Sequence, residues 1–252
     1  IAALLCLCAL ASLTYLINDA ADIESDRRHW SKHRRPLASG AVSVRAALTT
    51  AFVGIPLVLA TAWLVSPAVA LCLLLYTLIT LAYSFALKSI PLVDAMTVGS
   101  LFTLRLALGV AAGGLAWSAW LLTFGACFFF SLTLAKRHTE LVRAGPGAAL
   151  VPGRGYRADD KALTLAYGIA TATASVLLIA LYIVEEVFPR AAYAHPQWLW
   201  FAPPVLFAWS SRVWLLAHRG HMHDDPVVFA LRDRVSWALG GVLAVAFLLA
   251  LA

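Results

Sequence analysis

The sequence predicts an all-α integral membrane protein, a multi-helix transmembrane bundle, and three observations carry that prediction. Hydrophobic residues make up 62% of the 252 residues and charged residues only 13%, with a mean hydropathy of +0.84. A soluble domain is nearer to about half apolar and a quarter charged, so the surplus apolar surface calls for lipid as solvent. The apolar residues form eight runs, most of them about 17–24 residues long, which is the length that crosses roughly 30 Å of hydrocarbon. No run shows the period-two alternation of a barrel strand, and a spanning segment must satisfy its backbone internally, so the runs are read as helices.

The spans fall near 1–17, 46–65, 68–87, 92–113, 117–135, 161–183, 197–217 and 234–252, one transmembrane domain over 1–252 with no room for a soluble one. The first ends at Asn18. The second and third are separated only by the short loop Ser66-Pro67. The loops alternate in character: 18–45, 84–92, 136–160 and 218–233 are long or charged, and the others carry few charges. Alternation then places all but two of the 19 Lys and Arg on one face, Arg190 lying opposite and Arg105 inside a span. By the positive-inside rule that face is cytoplasmic, which places the protein in the cell (inner) membrane. The net charge of +6 therefore reflects topology and implies no nucleic-acid partner. All but two of the 13 acids gather on the same face, which topology does not require, so a chemical site is expected there.

The four cysteines, Cys6, Cys8, Cys72 and Cys127, lie within apolar runs without metal-ligand spacing, and neither a disulfide nor a zinc site is expected. The chain opens at Ile1 without Met or a basic leader. It reads as a mature or truncated product, with 1–17 a span and not a signal peptide.

At the end of the first span the chain reads Asn18-Asp19-Ala20-Ala21-Asp22-Ile23-Glu24-Ser25-Asp26-Arg27. On a helix, positions 18, 22 and 26 share a face, and 19, 22 and 26 follow an i, i+3, i+7 stripe. Carboxylates brought that close repel one another, and a divalent cation removes the penalty. Mg²⁺ prefers carboxylates and shares phosphate oxygens with them. Asp22 and Asp26 are expected as metal ligands, with Asp19 direct or through water and Asn18 as an uncharged oxygen donor. The plain alternative is an acidic helix end running into a solvated loop; ionisable groups with helical spacing at a span's end favour function. Arg27, Arg28, Lys32, Arg34 and Arg35 come next in the chain, and Arg forks suit the outer oxygens of a metal-bound anion. Part of that run serves only topology or anionic lipid.

The stretch Asn18–Gly40 resembles the first aspartate motif of the UbiA superfamily of membrane prenyltransferases. Tyr83-Ser84-x-x-Leu87-Lys88, then Ile90-Pro91-Leu92-x-Asp94, is similar to a further segment of that family, and the likeness spans nearly the whole chain. The resemblance implies a bundle of nine helices, with the first lying upstream of Ile1, and a Mg²⁺-bound diphosphate at the cytoplasmic mouth. Where aromatic-prenylating members carry a second acidic motif, this chain has Lys136-Arg137-His138-Thr139-Glu140, with Asp159 and Asp160 some twenty residues later. The Lys-Arg-x-x-Glu pattern and the ending Ala230-Leu231-Arg232-Asp233-Arg234-Val235 look like the decaprenyl-phosphate phosphoribosyltransferase branch. Members fused behind a phosphatase-like domain are also similar.

The reaction expected is displacement of diphosphate, by phosphoribosyl transfer from phosphoribosyl diphosphate to a polyprenyl phosphate. Prenyl transfer from a polyprenyl diphosphate to an aromatic or lipid acceptor is the second reading, and a secondary transporter is the outside one. Asp22, Asp26, Lys136 and Glu140 are assigned to catalysis, and Asp19, Asp22 and Asp26 to the metal. Asn18, Arg27, Arg35, Tyr83, Lys88, Arg137 and Arg232 are assigned to substrate. Arg105 joins them, because a buried arginine in a span faces either a cavity or a carboxylate.

Two weaker features complete the reading. His218-x-x-His221-x-His223-Asp224-Asp225 has ligand-like spacing, but plain interfacial residues and a helix cap ahead of Pro226 account for it. The Gly145–Gly155 stretch matches no phosphate-binding fingerprint and reads as a connector.

Overall fold

The structure is a computed structural model that describes every residue except 29–31, 145–154, 192 and 223–225. Among the described residues every regular element is a helix. Seven are long and apolar enough to cross a membrane: α1 (Ala2–Ala21), α3 (Val44–Val65), α4 (Pro67–Phe85), α5 (Val93–Ala112), α6 (Ala119–Ala144), α7 (Lys161–Tyr182) and α11 (Arg234–Leu251). Shorter helices are α2 (Ile23–Arg28), α8 (Phe188–Arg190), α9 (Ala202–His218) and α10 (Pro226–Arg232). The chain divides into two compact units, residues 1–88 with 104–116, and residues 89–103 with 117–252.

In the first unit α1, α3 and α4 pack on one another. Ser43 caps α3 by accepting from the Ala46 amide at 3.2 Å. Ser66 ends α3 and also caps α4, accepting from Ala68 N at 3.2 Å, with Pro67 in the first turn. A two-helix hairpin thus needs one connecting residue, because serine supplies the acceptor and proline the preset φ.

In the second unit α6 packs along α7, and α9 packs on both. The close approach of α7 and α9 is made by Gly168: a Cβ there would lie 1.9 Å from the ring of Trp214. The Trp214 indole donates to Ser131 Oγ at 3.0 Å, and that hydroxyl donates to the Gly168 carbonyl at 2.7 Å. Three helices are joined by polar groups that satisfy one another in an apolar interior.

The seventh expected span, 197–217, takes a different form. A 3-10 segment covers Pro196–Phe201, and α9 is then 17 residues long. Pro203 and Pro204 confine helix bonding to the residues after them, since proline donates no amide. The expected loop 218–233 also contains α10, begun by Pro226.

Candidate functional site

The acidic cluster is carried by a break in a helix. α1 ends at Asp22, whose φ is −96° and ψ 5°, and α2 resumes at Ile23. The bonds Asp22 N to Asn18 O (3.0 Å) and Asp26 N to Asp22 O (2.9 Å) carry i→i−4 pairing through the break. The expected common face therefore survives a local bend. Arg35 Nη1 donates to Asp19 Oδ1 and to Asp26 Oδ2, both at 2.8 Å. Lys88 Nζ donates to Asp22 Oδ1 at 2.6 Å. Asp26 is buried and Asn18 half-buried. Three acids and two cations alternate within one unit.

The turn that carries Arg35 is fastened to α2. Ser39 N donates to the Arg35 carbonyl at 2.8 Å, and Arg27 Nε donates to Ala38 O at 3.2 Å. Arg27, expected at the substrate, thus directs its Nε to the backbone. Tyr83 is half-buried in the last turn of α4. Arg105 donates to the Tyr76 hydroxyl at 3.2 Å with its guanidinium 5.6 Å from that ring's centre, a cation–π contact.

The second unit holds a buried polar network. Arg137, 3% exposed, donates through Nε to Asp94 Oδ2 at 2.7 Å, and through Nη1 to both oxygens of Glu140 at 3.0 Å. Asp94 is fully buried and accepts from the Tyr156 hydroxyl at 2.5 Å. That hydroxyl accepts from Leu92 N at 2.9 Å, and Leu92 has a φ of 64°, a strained value for a branched side chain. Burial, and next the contact with Asp94, push the Tyr156 phenol above its ordinary range, so it stays a donor. Gly155 permits this seat, since a Cβ there would meet the Ser89 carbonyl at 2.2 Å.

Arg137, expected at the substrate, joins Asp94 at the start of α5 to Glu140 on α6. Lys136 is half-buried and Glu140 partly exposed on α6, and Arg232 is exposed at the end of α10. Asp159 is exposed, while Asp160 accepts from Arg157 N at 2.8 Å. His138 is buried, with Nδ1 3.1 Å from Thr164 Oγ1 and Nε2 3.4 Å from His218 Nδ1. His223, Asp224 and Asp225 lie outside the described residues, as does most of the Gly145–Gly155 stretch. Among the described residues no group of three or more His, Cys, Asp or Glu forms a ready metal cage.

The sequence profile of the UbiA prenyltransferase family matches residues 1–232. The chain belongs to that family. This UbiA protein is accordingly an integral membrane protein. Among its relatives is the uncharacterised protein y4nM of Sinorhizobium fredii, 43% identical over 96% of this chain and 47% of that one. The chain spans about half the length of that relative. The decaprenyl-phosphate phosphoribosyltransferase of Mycobacterium tuberculosis is 32% identical over 89% of this chain and 72% of its own. A solved apo structure of a UbiA homolog from Aeropyrum pernix K1 shares the fold, with a TM-score of 0.62 at 19% identity, covering 98% of this chain and 89% of that one.

In this UbiA protein, sequence reasoning gave no role to Asp94 and missed Tyr156. Asp94 stood in the Ile90-Pro91-Leu92-x-Asp94 motif, and an acid at the start of an apolar span was the available signal. Tyr156 gave none, because its partners lie more than sixty positions away.

Proposed function

We propose that this chain catalyses diphosphate displacement at the cytoplasmic face of the inner membrane, transferring 5-phosphoribose from phosphoribosyl diphosphate to a polyprenyl phosphate. The observation that carries this reading is the Asp19–Asp22–Asp26 cluster, in which two carboxylates converge on one positive point and the third meets Lys88. Mg²⁺ commonly takes one or two carboxylates, keeping the remaining positions for water and phosphate, so this donor set suits it without a full cage. Bound there, Mg²⁺ would supply charge neutralisation for the leaving diphosphate. The name of the Mycobacterium tuberculosis relative supports the choice of substrates.

In the reaction a lipid phosphate oxygen forms a bond to the anomeric carbon of the ribose. The bond from that carbon to diphosphate breaks, and its electron pair leaves with diphosphate. Asp19, Asp22 and Asp26 would hold the metal, and Lys88, paired with Asp22, would face the charge that builds on the leaving group. Fixed cations aimed at developing charge are worth more in a dry site than in water.

Membranes containing the full chain, given Mg²⁺, polyprenyl phosphate and phosphoribosyl diphosphate, should yield a phosphoribosylated lipid by mass spectrometry. EDTA or Asp22→Ala should abolish it. A parallel reaction receives polyprenyl diphosphate with aromatic acceptors; product there alone would overturn the phosphoribosyl reading.

A further inference from the structure

The role of Arg35 rests on the reading of Asp19, Asp22 and Asp26 as metal ligands. One nitrogen atom, Arg35 Nη1, lies 2.8 Å from an oxygen of Asp19 and 2.8 Å from an oxygen of Asp26. The two acids come from opposite sides of the helix break, so a single positive charge closes the space between them. That is the place a small hard cation would take. Two positive groups cannot occupy it together.

The two partners differ in freedom. Asp26 has a side chain only 3% exposed, whereas that of Arg35 is 38% exposed. The backbone beneath Arg35 is fixed: Val42 N donates to Pro36 O at 3.1 Å, Arg27 holds the Ala38 carbonyl, and Leu37 and Ala38 are buried. Movement therefore belongs to the arginine side chain, whose methylene stem rotates about several bonds while the turn stays put. A diphosphate arriving beside it offers the guanidinium paired oxygens, a better geometric match than one nitrogen shared by two acids.

We infer that Arg35 is a tethered cation that fills the Asp19–Asp26 pair at rest and vacates it for the divalent metal when diphosphate binds. Free metal then competes with a charge built into the chain and binds weakly. Diphosphate draws Arg35 off the acids, so metal and diphosphate enter together. The site stays electrically balanced in both states, and its buried acid is never left without a cation.

The test uses Mn²⁺ in place of Mg²⁺, with bound metal read by electron paramagnetic resonance on the full chain in detergent micelles, without diphosphate. Arg35→Gln should bind Mn²⁺ about tenfold more tightly than the parent, within the range usual for coupling between sites. Arg35→Met, which keeps the packing of the stem, is the second uncharged variant, should Gln impair folding. Arg35→Lys retains the charge and should bind as weakly as the parent. Adding inorganic diphosphate should raise Mn²⁺ affinity more in the parent than in either uncharged variant. Unchanged Mn²⁺ affinity in the uncharged variants, with diphosphate still recruiting metal to all proteins, would overturn the role of Arg35 and leave the metal reading intact. No Mn²⁺ binding by any of these proteins, with or without diphosphate, would overturn both.

Discussion

Tyr156 shows how much one hydroxyl can hold. It donates a hydrogen bond to Asp94 and accepts one from the Leu92 amide at a backbone position with φ of 64°. Replacing it with Phe removes both partners at once, and leaving buried polar groups unpaired costs about 1–3 kcal/mol. Tyr156→Phe should therefore lower the thermal unfolding midpoint in micelles, with the helical circular dichroism signal intact below it. The sign of its pH dependence is also fixed. The folded phenol titrates above its ordinary value of 10.0, so the unfolded chain loses the proton first. Stability from this group is complete below about pH 10 and declines as pH rises towards the folded value, a decline absent in the Phe variant. Lys88→Ala should leave folding unchanged and lower kcat by about 10²–10³-fold, the usual cost of removing one donor aimed at developing charge. The spacing of Asp19, Asp22 and Asp26 was legible in the sequence because helical periodicity is local. The partners of Asp22 and Asp94 lie 66 and 62 positions along the chain, and periodicity carries no information at that range.

At the scale of elements, the α6–α7–α9 junction is set by a small residue under a large one. Even a methyl on Gly168 would lie 1.9 Å from Trp214, so the indole must shift and release Ser131. Gly168→Ala should cost about 1–3 kcal/mol, as overpacking of a tight contact does. The shift in thermal midpoint checks it, together with a change in tryptophan emission. Span positions for α1, α3, α4, α5, α6, α7 and α11 follow from composition alone, because lipid demands long apolar runs. The division of 197–217 into a 3-10 segment and a shorter helix was less visible. Hydropathy sums over such a window without registering how two adjacent prolines interrupt amide donation.

Along the sequence, charge is gathered in alternate loops, and the positive-inside rule predicts an orientation from it. A cysteine placed at Arg157 should react with an impermeant thiol reagent only from the cytoplasmic side, and one at Gln197 only from the other, in a Cys8→Ser background. Labelling at position 157 from the opposite side would overturn the cytoplasmic placement of the charged loops, and labelling of both positions from one side would overturn the alternation of the loops. Family and membrane character were legible from motif and composition. The interior pairing of Arg137 was not, because a Lys-Arg-x-x-Glu pattern looks the same whether its arginine faces a ligand or a neighbouring helix.

Helix α6 is longer than the hydrocarbon it crosses. Its 26 residues rise about 39 Å, against roughly 30 Å of hydrocarbon. The excess is the length of the last turns, which carry Glu140 and Arg143, and that end of the helix is expected at headgroup depth. Bilayer thickness thereby becomes a variable of this protein. A membrane a few ångströms thicker draws the charged turns towards the acyl chains, and local thinning of the bilayer with snorkelling of their side chains is the response that keeps them wet, whereas tilting of α6 answers a thinner one.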